Sequence, residues 1–179
     1  MNKVEIIGYA CGQNANDTGV GMGPVHFQMS ESFSAIESQV RWLETLYSRE
    51  SSRKMEHLNA TNDLSMRLAL CTQYLTQQKH PFCVIGGDHS SAIGTWSGVS
   101  TAQQAPIGLI YVDAHIDAHT PETSPSLIKF IFTPNLLSSL TILSCLGLFK
   151  MQAANSFVFL FFALANNSIF CLTVLSRSK

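Results

Sequence analysis

The chain has 179 residues, a formal net charge of −1 and 46% hydrophobic residues, which suits one domain with a sizeable core. So even a charge balance excludes a global field directed at nucleic acid or anionic lipid. Five cysteines (Cys11, Cys71, Cys83, Cys145, Cys171) form no Cys-x-x-Cys pair; with no secretory signal in Met1–Ala10, the expectation is a reduced, cytoplasmic setting rather than a disulfide framework.

In chain order, Val4–Ile7 reads as a short apolar strand followed by a glycine-rich loop from Gly8 to Gly23. Pro24 sits where a helix would begin, its fixed φ suiting the first helical position. Phe27, Phe33, Ile36, Val40 and Leu43 recur mostly at three- or four-residue spacing, which predicts helix up to about Tyr47. Ser48–Lys54 is polar and reads as a loop. A second helix is expected from near Asn62 to Gln78, with Leu64, Leu68, Cys71 and Leu75 on one face. Phe82–Ile85 reads as a strand, Gly86-Gly87 as a turn, Ser90–Gly98 as a short helix and Ile107–Val112 as another strand. Strands alternating with helices predict an α/β fold with three α/β/α layers around a parallel sheet.

Chemistry concentrates at the ends of two strands, expected to be adjacent. Asp113, His115 and Asp117 follow Val112 in alternating register, so an extended backbone would project all three from one side. Two carboxylates and an imidazole make a hard, mixed oxygen and nitrogen donor set for a metal ion. A single Asp or His there would read as a polar loop; three in register outweigh that alternative. Gly86-Gly87-Asp88-His89-Ser90 ends the preceding strand, and ligands gather at the carboxyl ends of strands in such sheets. There His89 is a plausible fourth ligand, and Asp88 a support acting through hydrogen bonds. The glycine-rich loop matches neither Gly-x-Gly-x-x-Gly nor the P-loop spacing, which argues against a dinucleotide or phosphate site.

Gly86-Gly87-Asp88-His89-Ser90, Val112-Asp113-Ala114-His115-Ile116-Asp117 and the loop ending Gly19-Val20-Gly21-Met22-Gly23-Pro24 together resemble the arginase/agmatinase (ureohydrolase) family over about residues 4–126. Thr120-Pro121-Glu122-Thr123-Ser124-Pro125-Ser126 is more like the arginase branch. The resemblance implies a manganese-dependent hydrolase that converts a guanidinium compound, arginine in that branch, to urea and an amine with two manganese ions and a bridging hydroxide. It implies one ion on His89, Asp113 and Asp117 and a second on Asp113 and His115, with Asp117 also orienting the hydroxide as the catalytic residue. It further implies substrate contacts from Ser126 and from His119, which stands where many arginases carry asparagine. Family members also form homo-oligomers.

The resemblance then stops. An arginase would continue past Ser126 with Gly-Asn-x-His-Gly, whereas this chain reads Leu127-Ile128-Lys129-Phe130 and has no later histidine. All 12 acidic residues lie at or before Glu122, so a later Asp-x-Asp pair and a late Glu are absent from this sequence. Without those carboxylates at most one ion is expected to be well held, with little or no turnover. The expectation is therefore an arginase-like domain over 1–126 and a hydrophobic tail over 127–179. The tail reads as a frameshifted or truncated product, with a membrane hairpin through 157–175 and a replacement core as alternatives. A non-catalytic metal-binding remnant or interaction protein is the competing reading to a hydrolase.

Overall fold

A computed structural model describes residues 3–15, 18–48, 54–104, 108–112, 158–164 and 168–174. The first strand, β1 (Val4–Ala10), runs three residues beyond the expected Ile7. Its side chains alternate between two clusters: Ile6 faces one, and Ile7 and Tyr9 face the other. That period of two is what a strand covered on both faces requires. The third strand, β3 (Phe82–Gly86), pairs parallel to β1 and repeats the pattern, with Phe82 and Val84 on one side and Cys83 and Ile85 on the other.

After a 3-10 turn at Thr18–Met22 come two short helices, α1 (Gly23–Gln28) and α2 (Glu31–Ser34). Pro24 lies in the first turn of α1 as expected, and the Ser30 hydroxyl caps α2 by accepting from Phe33 N–H at 3.2 Å. The predicted helix to Tyr47 stops here, because Val40–Tyr47 is strand β2, paired parallel to β1. Between Trp42 and Glu44 the register slips by one, leaving Leu43 without a partner on β1. This bulge sends Val40 and Trp42 to the Phe27–Phe33 side and Leu46 to the opposite side. Phe33 stacks edge-on against both Phe27 and Trp42, with ring centroids 6.0 and 5.5 Å apart.

Helix α3 (Lys54–Gln77) begins eight residues before the expected start near Asn62, because helix continues past the end of its apolar stripe. Leu64, Leu68 and Leu75 are buried and Cys71 packs beside them, as the spacing predicts. They meet Ala92, Trp96 and Val99 of α4 (Ser91–Gln103), which runs five residues past Gly98 and ends at Gln104 in a left-handed conformation (φ 50°). Helices α3 and α4 thus cover one face of the sheet and α1 and α2 the other, giving the expected three layers.

The sheet order is β2-β1-β3-β5-β6-β4, with β4 at Gly108–Val112, β5 at Val158–Leu164 and β6 at Ser168–Val174. Strand β4 pairs parallel to β6, while β5 runs antiparallel to both β3 and β6 and is the one described strand opposed to the rest. Both apolar runs of the tail are therefore strands inserted between β3 and β4. The expected boundary near residue 126 lies outside the described residues. Among the described residues, no helix is long and apolar enough to cross a membrane.

Candidate metal centre at the carboxyl edge of the sheet

Strand β3 brings Gly86 and Gly87 to the carboxyl edge, and the chain turns through Asp88 and His89 into α4. A Cβ added at Gly87 would strike the Cys11 carbonyl oxygen and lie 2.7 Å from Gly21 Cα. Only glycine permits this backbone-on-backbone contact between the β3 turn and the loop that follows β1. The Gly87 N–H also donates to the Tyr9 carbonyl at 2.9 Å.

Asp88 is buried at 3% exposure, and both of its carboxylate oxygens are occupied. Oδ1 accepts from the Ser90 N–H at 3.0 Å and the Ser90 hydroxyl at 2.5 Å. Oδ2 accepts from the Asn14 backbone N–H at 3.2 Å and from Asn14 Nδ2 at 3.3 Å. Four donors match the roughly four lone-pair positions of a carboxylate, so Asp88 holds the turn instead of offering itself to an ion. That is the supporting role expected from the sequence.

Around it runs a polar network that the sequence did not reveal. Tyr9 Oη lies 3.2 Å from Ser65 Oγ and 2.9 Å from Ser90 Oγ, joining β1, α3 and the turn. Asn14 Nδ2 lies 3.1 Å from Thr61 Oγ1 and 3.3 Å from Ser90 Oγ. Burial pushes the Tyr9 phenol far up, and the Cys11 thiol is pushed up to about 11 by burial first and then by the Asp88 carboxylate. Both groups are therefore neutral at pH 7.

His89 sits half-buried on this turn. Strands β3, β6 and β4 point the same way, so the chain leaves β4 after Val112 at the same edge. The two strand ends are not adjacent, however: β5 and β6 intervene, placing β3 and β4 three strand intervals, roughly 14 Å, apart. The expectation of neighbouring tips fails because the tail supplies the strands between them. Asp113, His115, Asp117, His119 and Ser126 lie outside the described residues. Among the described residues no group of three or more His, Cys, Asp or Glu side chains could hold an ion. By donor type alone, imidazoles such as those of His89 and His115 and carboxylates such as those of Asp113 and Asp117 suit a divalent ion.

Comparison with known proteins bears on the family and the fold. The arginase family profile matches residues 2–130. An arginase from Bacillus caldovelox is 31% identical over 137 residues, covering 70% of this chain and 45% of that protein. Its native crystal structure superposes with a TM-score of 0.61 at 31% identity, over 70% of this chain and 45% of that one. The crystal structure of Entamoeba histolytica arginase in complex with L-ornithine superposes with a TM-score of 0.58 at 26% identity, over 72% of this chain and 47% of that one. The chain thus spans a little under half the length of these relatives. A family profile covering most of the sequence, joined to the same fold, establishes that this chain belongs to the arginase family.

Proposed function

We propose that this polypeptide is an arginase-like hydrolase scaffold that binds one divalent ion, manganese by preference, and turns over a guanidinium substrate slowly or not at all. The observation that carries the reading is the turn after β3, where Asp88 accepts four hydrogen bonds and fixes the half-buried His89 at the edge to which β4 also delivers the chain. The family resemblance assigns the ion to His89, Asp113, His115 and Asp117, which requires the segment after Val112 to reach back across the ends of β6 and β5 toward His89. When bound, divalent ions lower the pKa of water and supply a nucleophile strong enough for a resonance-stabilised guanidinium carbon. The Asp117 carboxylate would accept a hydrogen bond from that water and orient it. His119 and Ser126 would face the amino-acid end of a substrate, a role in keeping with the L-ornithine held by the Entamoeba relative.

Slow turnover follows from the charge inventory. Residues 123–179 contain no Asp or Glu, so within this 179-residue polypeptide a second divalent ion would lack carboxylates to offset the repulsion from the first. The same inventory supports a second reading, a metal-binding protein without catalysis. Two measurements on the 179-residue polypeptide decide: calorimetric titration with Mn2+, and urea release from arginine with Mn2+ present. We expect about one ion bound per chain, binding lost in His89→Ala and Asp113→Ala, and urea release at or near background. Absence of Mn2+ uptake overturns the metal-centre reading. Rapid urea release would show that the later acidic residues are dispensable.

A further inference from the structure

We propose that the outward face of α3 is a self-association surface, on which a second copy of this chain docks its own α3 antiparallel about a two-fold axis at Leu70. The inference is independent of any bound ion. Met66, Leu70 and Tyr74 recur at every fourth position, so they line one stripe along the helix. That stripe lies on the side opposite Leu64, Leu68 and Leu75, which are buried in the core. Its three side chains are 59%, 64% and 60% exposed. A helix that covers a sheet needs one apolar face, with polar residues on the other. Helix α3 has two apolar faces, and a contiguous exposed one marks a contact surface.

The stripe reads alike from either end. A two-fold axis through Leu70 sets Leu70 against Leu70 of the second copy. Met66 then meets Tyr74 of the second copy, because both stand four positions from the axis. Asp63 comes beside Gln77 of the second copy, where an amide can donate to a carboxylate. Arg67 falls next to Tyr74 of the second copy, where a guanidinium can lie over the ring. Asp63 and Arg67 are the only charged residues between positions 63 and 77. A parallel pairing would set each of them against its own copy; the antiparallel one opposes no like charges. A lipid surface is a poorer occupant, since helices that lie in that interface carry several Lys or Arg beside the apolar face. Interfaces below about 1,200 Å² in total associate weakly and reversibly, and a contact centred on three side chains belongs to that class.

The test is sedimentation velocity on the full chain from about 5 to about 200 µM, a range suited to weak interfaces. The coefficient is expected to rise with concentration from the monomer value toward that of a dimer. Leu70→Glu opposes two carboxylates at the axis and should weaken association by about tenfold or more, with an unchanged far-UV circular dichroism spectrum because the side chain lies outside the core. Cysteine crosslinking reads the register. In a Cys71→Ser background, which serves as the control for the remaining thiols, Leu70→Cys should give a disulfide-linked dimer on mild oxidation. Met66→Cys alone should not, because its two copies stand roughly 12 Å apart along the helices. Mixed with Tyr74→Cys, it should. A chain that stays monomeric throughout overturns the proposal, as does association unaltered by Leu70→Glu or Met66→Cys crosslinking as well alone as in the mixture. A monomer that co-sediments with phosphatidylcholine vesicles would assign the stripe to lipid and overturn it equally. If Leu70→Glu does not fold, the crosslinking comparison decides.

Discussion

Cys11 lies just beyond β1 at 1% exposure, and burial, followed by the charge of Asp88, raises its thiol from the usual 9.0 to about 11. The folded chain therefore keeps a proton that the unfolded chain releases near pH 9. The associated stability is complete below pH 9 and is lost as pH rises toward 11. We expect the urea midpoint to fall across that window, and to fall less steeply in Cys11→Ala, the difference amounting to about 2 kcal/mol at pH 11. Denaturation curves at pH 8, 9.5 and 11 check this; identical slopes in the two chains would mean that Cys11 is not held protonated. At this scale the sequence was only partly readable. Asp88 was identifiable as a support because it stands between paired glycines and a candidate ligand. Asn14 was not, since a loop asparagine carries no periodic signal and its partner is 74 positions away.

Helices α3 and α4 meet through small residues. A Cβ on Gly98 would strike Thr72 Oγ1 and the Ala69 carbonyl and lie 2.8 Å from Gln73 N, and one on Gly94 would lie 2.6 Å from the Ser65 carbonyl. Most of these obstacles are backbone, which cannot step aside as a flexible side chain could. Gly98→Ala is accordingly expected to cost about 1–3 kcal/mol despite alanine's better helix propensity. A chemical denaturation midpoint equal to that of the parent, or higher, would show that the helices can separate without loss. Elements with unbroken patterns were legible: Phe82–Ile85 as a strand, and Leu64, Leu68 and Leu75 as a buried stripe. Strand β2 was not. The bulge at Leu43 breaks its alternation, and Phe33, Ile36, Val40 and Leu43, at three- and four-residue spacing, imitate a helix. The start of α3 was hidden as well, because Lys54–Thr61 offers too few apolar residues to reveal a period.

For the molecule as a whole, the sheet is continuous only because β5 and β6 fill the positions between β3 and β4. Strand β5 has partners on both sides, Phe161 lying opposite Val84 of β3 and Cys171 of β6. Phe161→Pro would remove a ladder N–H from an interior strand, where proline is not accommodated. The expected loss is about 2 kcal/mol or more, read from thermal or urea unfolding. A variant as stable as the parent would mean that the apolar tail contributes nothing to the sheet. The layered α/β architecture could be inferred from alternating elements and the family motifs. The tail's place could not, because strand order depends on pairings between distant segments that local pattern does not encode.

That arrangement sets the order of events during synthesis on the ribosome. Among the described strands, one flank of β3 has no partner until β5 emerges, roughly seventy residues later, and contacts of such long range form slowly. Until then a nascent chain displays the bare edge of Phe82–Gly86, an invitation to chaperones or to other copies of itself. Yield in the cell should therefore depend on how quickly the ribosome delivers β5 and β6.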